Sequence, residues 1–184
     1  MAKLILGITG EMGSGKGTIA AHVIEKHMGS THRFSTMLRD VLDRLYIEQT
    51  RENIAQLSTI LRKNFGEDCL SNVMMHDAQN DDRTLVIIDG VRRKTDIVHL
   101  EGLPHFKLVY IDADIKTRYE RIIKRGENAG ESQKTFEEFQ KDHEHEAESQ
   151  IVGLKKEADY VIDNNGNFQQ LYDQINKIIA QNLK

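Results

Sequence analysis

Residues 4–18 read L-I-L-G-I-T-G-E-M-G-S-G-K-G-T. A short apolar run, Leu4 to Ile8, ends in a glycine-rich turn, and a lysine then opens a helical pattern. Gly10, four residues, Gly15 and Lys16 satisfy the G-x-x-x-x-G-K spacing of a phosphate-binding (Walker A) loop. Glycines let successive backbone N–H groups turn inward on an anion. The helix that follows contributes its positive end, and Lys16 contributes a mobile charge for terminal phosphates. A plain glycine turn would not need a strand before it and a helix after it. Residues Gly10, Glu11, Met12, Gly13, Ser14, Gly15, Lys16, Gly17 and Thr18 are therefore the candidate phosphate cradle. The usual motif places Ser or Thr after the lysine as a magnesium ligand. Here that place holds Gly17, and Thr18 comes one residue late.

The rest of the chain reads outward from this loop. Its 184 residues, 39% of them hydrophobic, suit one α/β domain with a full core. No apolar run approaches the ~20 residues that span a bilayer, and the first residues do not form a signal peptide. A single cysteine, Cys69, excludes an internal disulfide and fits a cytoplasmic protein. Charge is uneven. Residues 1–125 hold 19 Lys and Arg against 17 Asp and Glu, whereas residues 126–184 hold 6 against 12. That is not the basic excess of a nucleic-acid binder. Every arginine lies at or before Arg125, which suits a small phosphorylated ligand.

Apolar β-branched runs alternate with helical patterns, which predicts a five-stranded parallel sheet covered on both faces. Strands are expected at Lys3–Thr9, His32–Ser35, Leu85–Asp89, Phe106–Ile111 and Ala158–Asp163. The first helix is expected over Lys16–His27, with Ile19, Ala20, Val23, Ile24 and His27 facing the core. Residues 36–80 read as three helices, a long excursion suited to a movable substrate arm. Further helices are expected at Lys94–Glu101, Ile115–Arg125, Phe136–Ser149 and Asn167–Leu183, the last with Phe168, Leu171, Tyr172, Ile175, Ile178 and Ile179 as its core stripe. Residues 126–132 are polar and hold two glycines, so they suit a short lid. His143 and His145 stand two apart and would leave a helix on different sides, which argues for a surface helix and against a metal site.

Asp89 ends the clearest buried strand, where open α/β sheets bind ligands, and Arg92 and Arg93 follow it. Arg118, Arg121 and Arg125 recur at steps of three and four, so they share one helix face and form a candidate phosphate-facing row. A loop with Lys16, a strand-end carboxylate and two groups of arginines suit phosphoryl transfer between two bound phosphates. That chemistry needs alignment and charge neutralisation more than covalent help. Lys16, Arg121, Arg125 and Asp89 are the catalytic candidates, ATP and Mg2+ the expected cofactors, and Thr18 and Asp89 the candidate metal ligands. A nucleotide switch acting through a partner would not need a second set of arginines.

On these motifs the chain resembles P-loop nucleoside monophosphate kinases of the adenylate kinase type. G-x-x-G-S-G-K-G-T resembles that family's loop, including the glycine after the lysine. F-S-T-M-L-R, residues 34–39, resembles its acceptor-binding segment but is two residues shorter; the match implies roles for Ser35 and Thr36 and places Arg39 on the monophosphate. I-D-G-V-R-R, residues 88–93, resembles D-G-F-P-R without its proline, and implies that Arg93 or Arg92 holds the acceptor phosphate. I-D-A-D followed by Arg121 and Arg125 resembles the approach to the lid and implies contacts to ATP phosphates. The family's later R-x-D-D-like run is absent; Lys141-Asp142 stands there. G-I-T-G-x-x-G-S-G-K and the closing A-D-x-V-I-D-N-N-G also resemble dephospho-CoA kinases, which would bring Asn165 and Gly166 beside the adenine, although that family's early D-A-D motif is missing. The F-E-E-F-x-x-x-D stretch is similar to a group of archaeal kinase-like proteins related to both.

Together these readings predict a three-layer α/β/α P-loop kinase fold in one domain. Its core would comprise residues 1–35, 81–125 and 150–184, its acceptor-binding arm 36–80 and its lid 126–149. The expected partners are small-molecule nucleotides, with no nucleic acid and no membrane, and the chain is expected to be a monomer or homodimer.

Overall fold

The computed structural model describes residues 3–126, 133–142 and 146–183. Five strands form one parallel sheet in the order β2-β3-β1-β4-β5: β1 Leu4–Thr9, β2 Ser30–Arg33, β3 Leu85–Asp89, β4 Phe106–Asp112 and β5 Tyr160–Asp163. Because β1 is central and almost wholly buried, the loop that leaves its carboxyl end opens at the middle of the sheet edge, where such folds bind ligands.

Alternation along β1 splits the core in two. Leu4, Leu6 and Ile8 point to the face covered by α1 (Lys16–His27) and α8 (Phe168–Asn182), meeting Ile19, Val23, Leu171, Ile175 and Ile179. Ile5 points to the other face, where Leu38 of α2 (Phe34–Arg44) and Leu70, Met74 and Ala78 of α4 (Cys69–Asn80) pack. Between these two lies α3 (Arg51–Phe65), held by the half-buried Ile54, Leu57 and Leu61. The three helices expected over 36–80 are thus present. Three more lie among the described residues: α5 (Ile115–Arg125), α6 (Phe136–Asp142) and α7 (Glu146–Leu154). Fully buried Phe139 of α6 packs on Tyr119 of α5, ring centroids 5.6 Å apart.

Several expectations need correction. β2 starts at Ser30 and α2 already at Phe34, because Phe34 turns into the core instead of extending the strand. Residues 94–101 form only a short 3-10 turn, Lys94–Asp96, since Asp96 folds back on the preceding amides. Of the helix expected over 136–149, the described residues form Phe136–Asp142, and a helix over Glu146–Leu154 runs beyond its expected end. In α1 Ile24 is exposed and His27 only half-buried, whereas His22 is buried, stacked on Tyr172 with centroids 4.0 Å apart. Phe168 is 68% exposed, being the first residue of α8 beyond the sheet. Much of the expected lid, and the His143–His145 pair, lie outside the described residues. No helix among the described residues is long and apolar enough to cross a membrane.

Candidate phosphate-binding site

The glycine loop is held from two sides. From α5, Arg118 reaches beneath it: Nε donates to Ala113 O at 3.0 Å, Nη1 to Met12 O at 3.3 Å, and Nη2 to Glu11 Oε1 at 3.0 Å. Arg118 is only 3% exposed. Rather than standing in a phosphate-facing row with Arg121 and Arg125, as its spacing suggested, it is a staple for the loop, neutralising the carboxylate that Glu11 brings into an anion site. The approach is close enough that a Cβ on Gly13, whose φ is +79°, would sit 2.8 Å from Arg118 O.

From the end of β5, Asn164 closes the other side. Its Nδ2 donates to Ser14 O at 2.7 Å, and its own amide donates to Asp112 O at 2.8 Å. A Cβ on Gly15, at φ +108°, would meet Asn164 Nδ2 at 2.3 Å, so only glycine fits. Arg121 joins the same group: Nη2 donates to Asn164 O at 2.8 Å. Its Nη1 is buried without a partner among the described residues, as is Ser14 Oγ. Burial pushes the Arg121 guanidinium below its ordinary pKa. A buried donor without an acceptor costs about 1–3 kcal/mol; two of them around one glycine loop fit a site shaped for an anion. Lys16 Nζ donates to the carbonyls of Gly10 at 2.5 Å and Glu11 at 3.0 Å, which places the ammonium over the loop.

The metal candidates are less concentrated. Thr18 is half-buried in the first turn of α1, and Gly17 faces open space. Asp89 stands at the carboxyl end of β3, opposite Ile8 of β1, and Arg33 Nε is bound to its Oδ2 at 2.8 Å. Among the described residues no three His, Cys, Asp or Glu converge. A divalent ion here would therefore take most of its ligands from phosphate oxygens and water, with Asp89 and Thr18 as the protein's share.

On the arm side, Arg39 is exposed and donates to Ser35 Oγ at 3.0 Å, and Thr36 is exposed beside them. Arg92 is exposed and Arg93 half-exposed, the latter loosely paired with Glu67 at 3.6 Å. What fixes their backbone is Asp96: Oδ2 accepts from the amides of Arg92 at 2.9 Å and Arg93 at 3.0 Å. Its Oδ1 accepts from Arg62 Nη2 at 2.6 Å. Both partners of that ion pair are almost fully buried. Arg62 belongs to α3, so the arm is pinned to the turn after β3. Asn165 and Gly166 are both exposed; Asn165 Oδ1 accepts from the Asp114 amide at 2.8 Å, and it is Asn164 that touches the loop. Arg125 is exposed in the last turn of α5.

Sequence reading missed Asn164, Arg33, Arg62 and Asp96. Asp96 left a trace: a carboxylate three residues past Arg93 occupies the position that can cap the turn. The other three left none, because Asp96, Asp89 and Ser14, the groups they hold, lie 34 to 150 residues away.

This geometry can be set beside known proteins. The AAA domain family (AAA_18) matches residues 6–153, from β1 into α7. The chain belongs to that family. It is 27% identical to a UPF0200 protein of Hyperthermus butylicus over 97% of this chain and 95% of that one. It is 26% identical to a UPF0200 protein of Methanocaldococcus jannaschii, covering 98% and 91%. Among solved structures, shikimate kinase from Bacteroides thetaiotaomicron superposes with a TM-score of 0.62 at 15% identity, over 97% of both chains. TT1252 from Thermus thermophilus does so with 0.61 at 19%, over all of both. These likenesses show the fold: the three-layer α/β/α arrangement of P-loop kinases.

Proposed function

We propose that this chain is an ATP-dependent kinase that transfers the γ-phosphate of ATP to a (deoxy)nucleoside monophosphate. The observation that carries the reading is two separate sets of cations around one cradle. Lys16 and Arg121 close on the loop itself, whereas Arg39 in α2 and Arg92 in the turn after Asp89 stand exposed, with the half-exposed Arg93 beside the latter.

Lys16 and the loop amides hold the donor's β and γ phosphates. Arg121, with its unpartnered Nη1, and Arg125 neutralise charge on the transferring group. Arg39 with Arg93 or Arg92 holds the acceptor's phosphate, while the helices of residues 36–80 carry the acceptor. An acceptor phosphate oxygen attacks the γ-phosphorus, the bond to the β–γ bridging oxygen breaks, and ADP leaves. Mg2+, when bound, supplies charge neutralisation at the phosphates; Asp89, directly or through water, and Thr18 are the residues that would hold it.

The test is an ADP-release assay across the common nucleoside monophosphates and dephospho-CoA, with Lys16→Ala as control. One monophosphate should stimulate ADP formation strongly. Stimulation by dephospho-CoA alone would reassign the acceptor. Acceptor-independent hydrolysis would leave a nucleotide switch.

A further inference from the structure

β2 is the outer strand of the sheet, and among the described residues it pairs with β3 alone. In a parallel ladder every second residue turns its N–H and C=O to one neighbour, and the residues between turn theirs the other way. Half of the backbone groups of Ser30–Arg33 therefore face away from β3, with no strand among the described residues to receive them. Such an edge accepts another extended chain unless a bulge, a proline or a covering element blocks it. β2 is short, but it holds no proline and its register with β3 is unbroken.

A groove of about 430 Å3 lies against this edge, lined by Thr31, His32 and Arg33 of β2. α2 contributes Asp40 to its wall, and α4 contributes Val73, Asp77 and Asn80, whose steps of four and three put them on one helix face. Both basic groups of the groove are already held: Arg33 by Asp89, and His32 by Asp81, a further wall residue. Asp40 and Asp77 have no side-chain partner among the described residues. Asp77 also stands in the last turn of α4, where the helix dipole disfavours negative charge, and that turn holds no basic residue. Lys3 reaches the helix end, but its ammonium donates to the carbonyls of Ala78 at 2.9 Å and Gln79 at 3.3 Å. The groove is thus left with a negative field that repels phosphates and suits a cation.

We propose that the β2 edge docks an extended, lysine- or arginine-bearing segment of a partner protein, which joins the five-stranded sheet as a further strand. The segment's main chain pairs with the outward amides and carbonyls of β2, and alternate basic side chains meet Asp40 and Asp77. The open edge calls for an extended backbone, and the unpaired carboxylates set the sign of its charge. A second copy of this chain suits the groove less well, because two-fold pairing of β2 with itself would bring the same carboxylates together. The inference goes beyond the kinase reading and does not depend on it.

The experiment is fluorescence anisotropy on the full chain at low salt, with a short labelled peptide of alternating lysine and threonine as the probe. It should bind, whereas a peptide with glutamate for lysine should not. A peptide with proline for threonine keeps the charge but cannot form the ladder, and it should bind much more weakly. Asp40→Asn combined with Asp77→Asn should weaken binding of the probe about fivefold, the worth of two exposed ion pairs, with circular dichroism and urea melting showing that the double variant folds. Absence of binding by wild type, or unchanged affinity in the folded double variant, overturns the proposal. Equal binding of the proline peptide overturns it by leaving charge without strand pairing. Displacement of the probe by spermidine at equal charge concentration would make the groove a small-cation site, and self-association in sedimentation velocity that the probe reverses would give it to a second copy; either result overturns it as well.

Discussion

Asn164 Nδ2 and the Ser14 carbonyl lie 2.7 Å apart, joining the end of β5 to the glycine loop across 150 residues of chain. Asn164 is 4% exposed, and the same side chain blocks any Cβ at Gly15. Its backbone carbonyl also accepts from Arg121. One residue thus sets the loop's shape and the position of a phosphate-side arginine.

Asn164→Ala removes the donor and leaves the Ser14 carbonyl buried without it. We expect ATP affinity to fall about tenfold, consistent with ~1–1.5 kcal/mol for one buried hydrogen bond. Calorimetric titration with Lys16→Ala alongside checks this; wild-type affinity in Asn164→Ala would show that the loop holds its shape without the staple.

Gly15→Ala should abolish ATP binding. The new methyl carbon would sit 2.3 Å from Asn164 Nδ2 at a φ of +108°. Pairing it with Asn164→Ala clears the space but not the backbone strain, which costs about 1–2 kcal/mol for a residue with a Cβ. The double variant should recover binding only in part, measured by the same titration.

Removing the Asp96 carboxylate strands Arg62 in the interior and frees two amides of the turn that carries Arg92 and Arg93. Breaking a buried ion pair from one side costs about 3–5 kcal/mol, so Asp96→Ala should unfold at much lower urea. Replacing both members, Arg62→Met with Asp96→Ala, should cost less than the sum of the single changes. An additive result in urea melts would rule out coupling between arm and turn.

Arg93→Ala should raise the KM for the acceptor more than the KM for ATP, because Arg93 stands on the arm side, apart from Lys16 and Arg121. Equal rises in both constants would move Arg93 to the donor side.

Asp81 joins the end of α4 to β2 through His32 Nε2, 2.7 Å from its Oδ2. Desolvation raises its pKa. The Arg83 amide, 2.8 Å from Oδ1, and His32 outweigh that and hold the carboxyl below its ordinary value of 3.8. A carboxyl with a depressed folded pKa stabilises the fold at pH above its unfolded value, and that stability is lost as pH falls through the folded value. The melting temperature of wild type should therefore drop as pH falls below about 4. Asp81→Asn should show a shallower drop over that window; parallel curves would dismiss the clamp.

The fold class and the loop were legible because both are written in neighbouring residues. Hydrophobic runs of four to six, helical periods and G-x-x-x-x-G-K are local patterns, and backbone geometry converts each into strand, helix or cradle with little help from elsewhere. The same holds for Asp89, which any strand ending at that point must deliver to the ligand edge of the sheet.

Roles within the site were decided by contacts the chain makes at long range. Arg118 and Arg121 share a helix face by spacing, yet the docking of α5 under the loop buries the first as a staple and leaves the second with an unpartnered nitrogen beside Asn164. Asn164 and Asn165 are adjacent and chemically identical, and side chains alternate sides along extended chain. The pairing of Asp163 with Asp112 on β4 sends the first to the loop and the second to the surface. Arg33 meets Asp89 only because β2 lies beside β3 in that register. Local sequence sets which elements form; a one-residue shift in how they pair reverses which side chains reach the site, and that choice belongs to the packed structure.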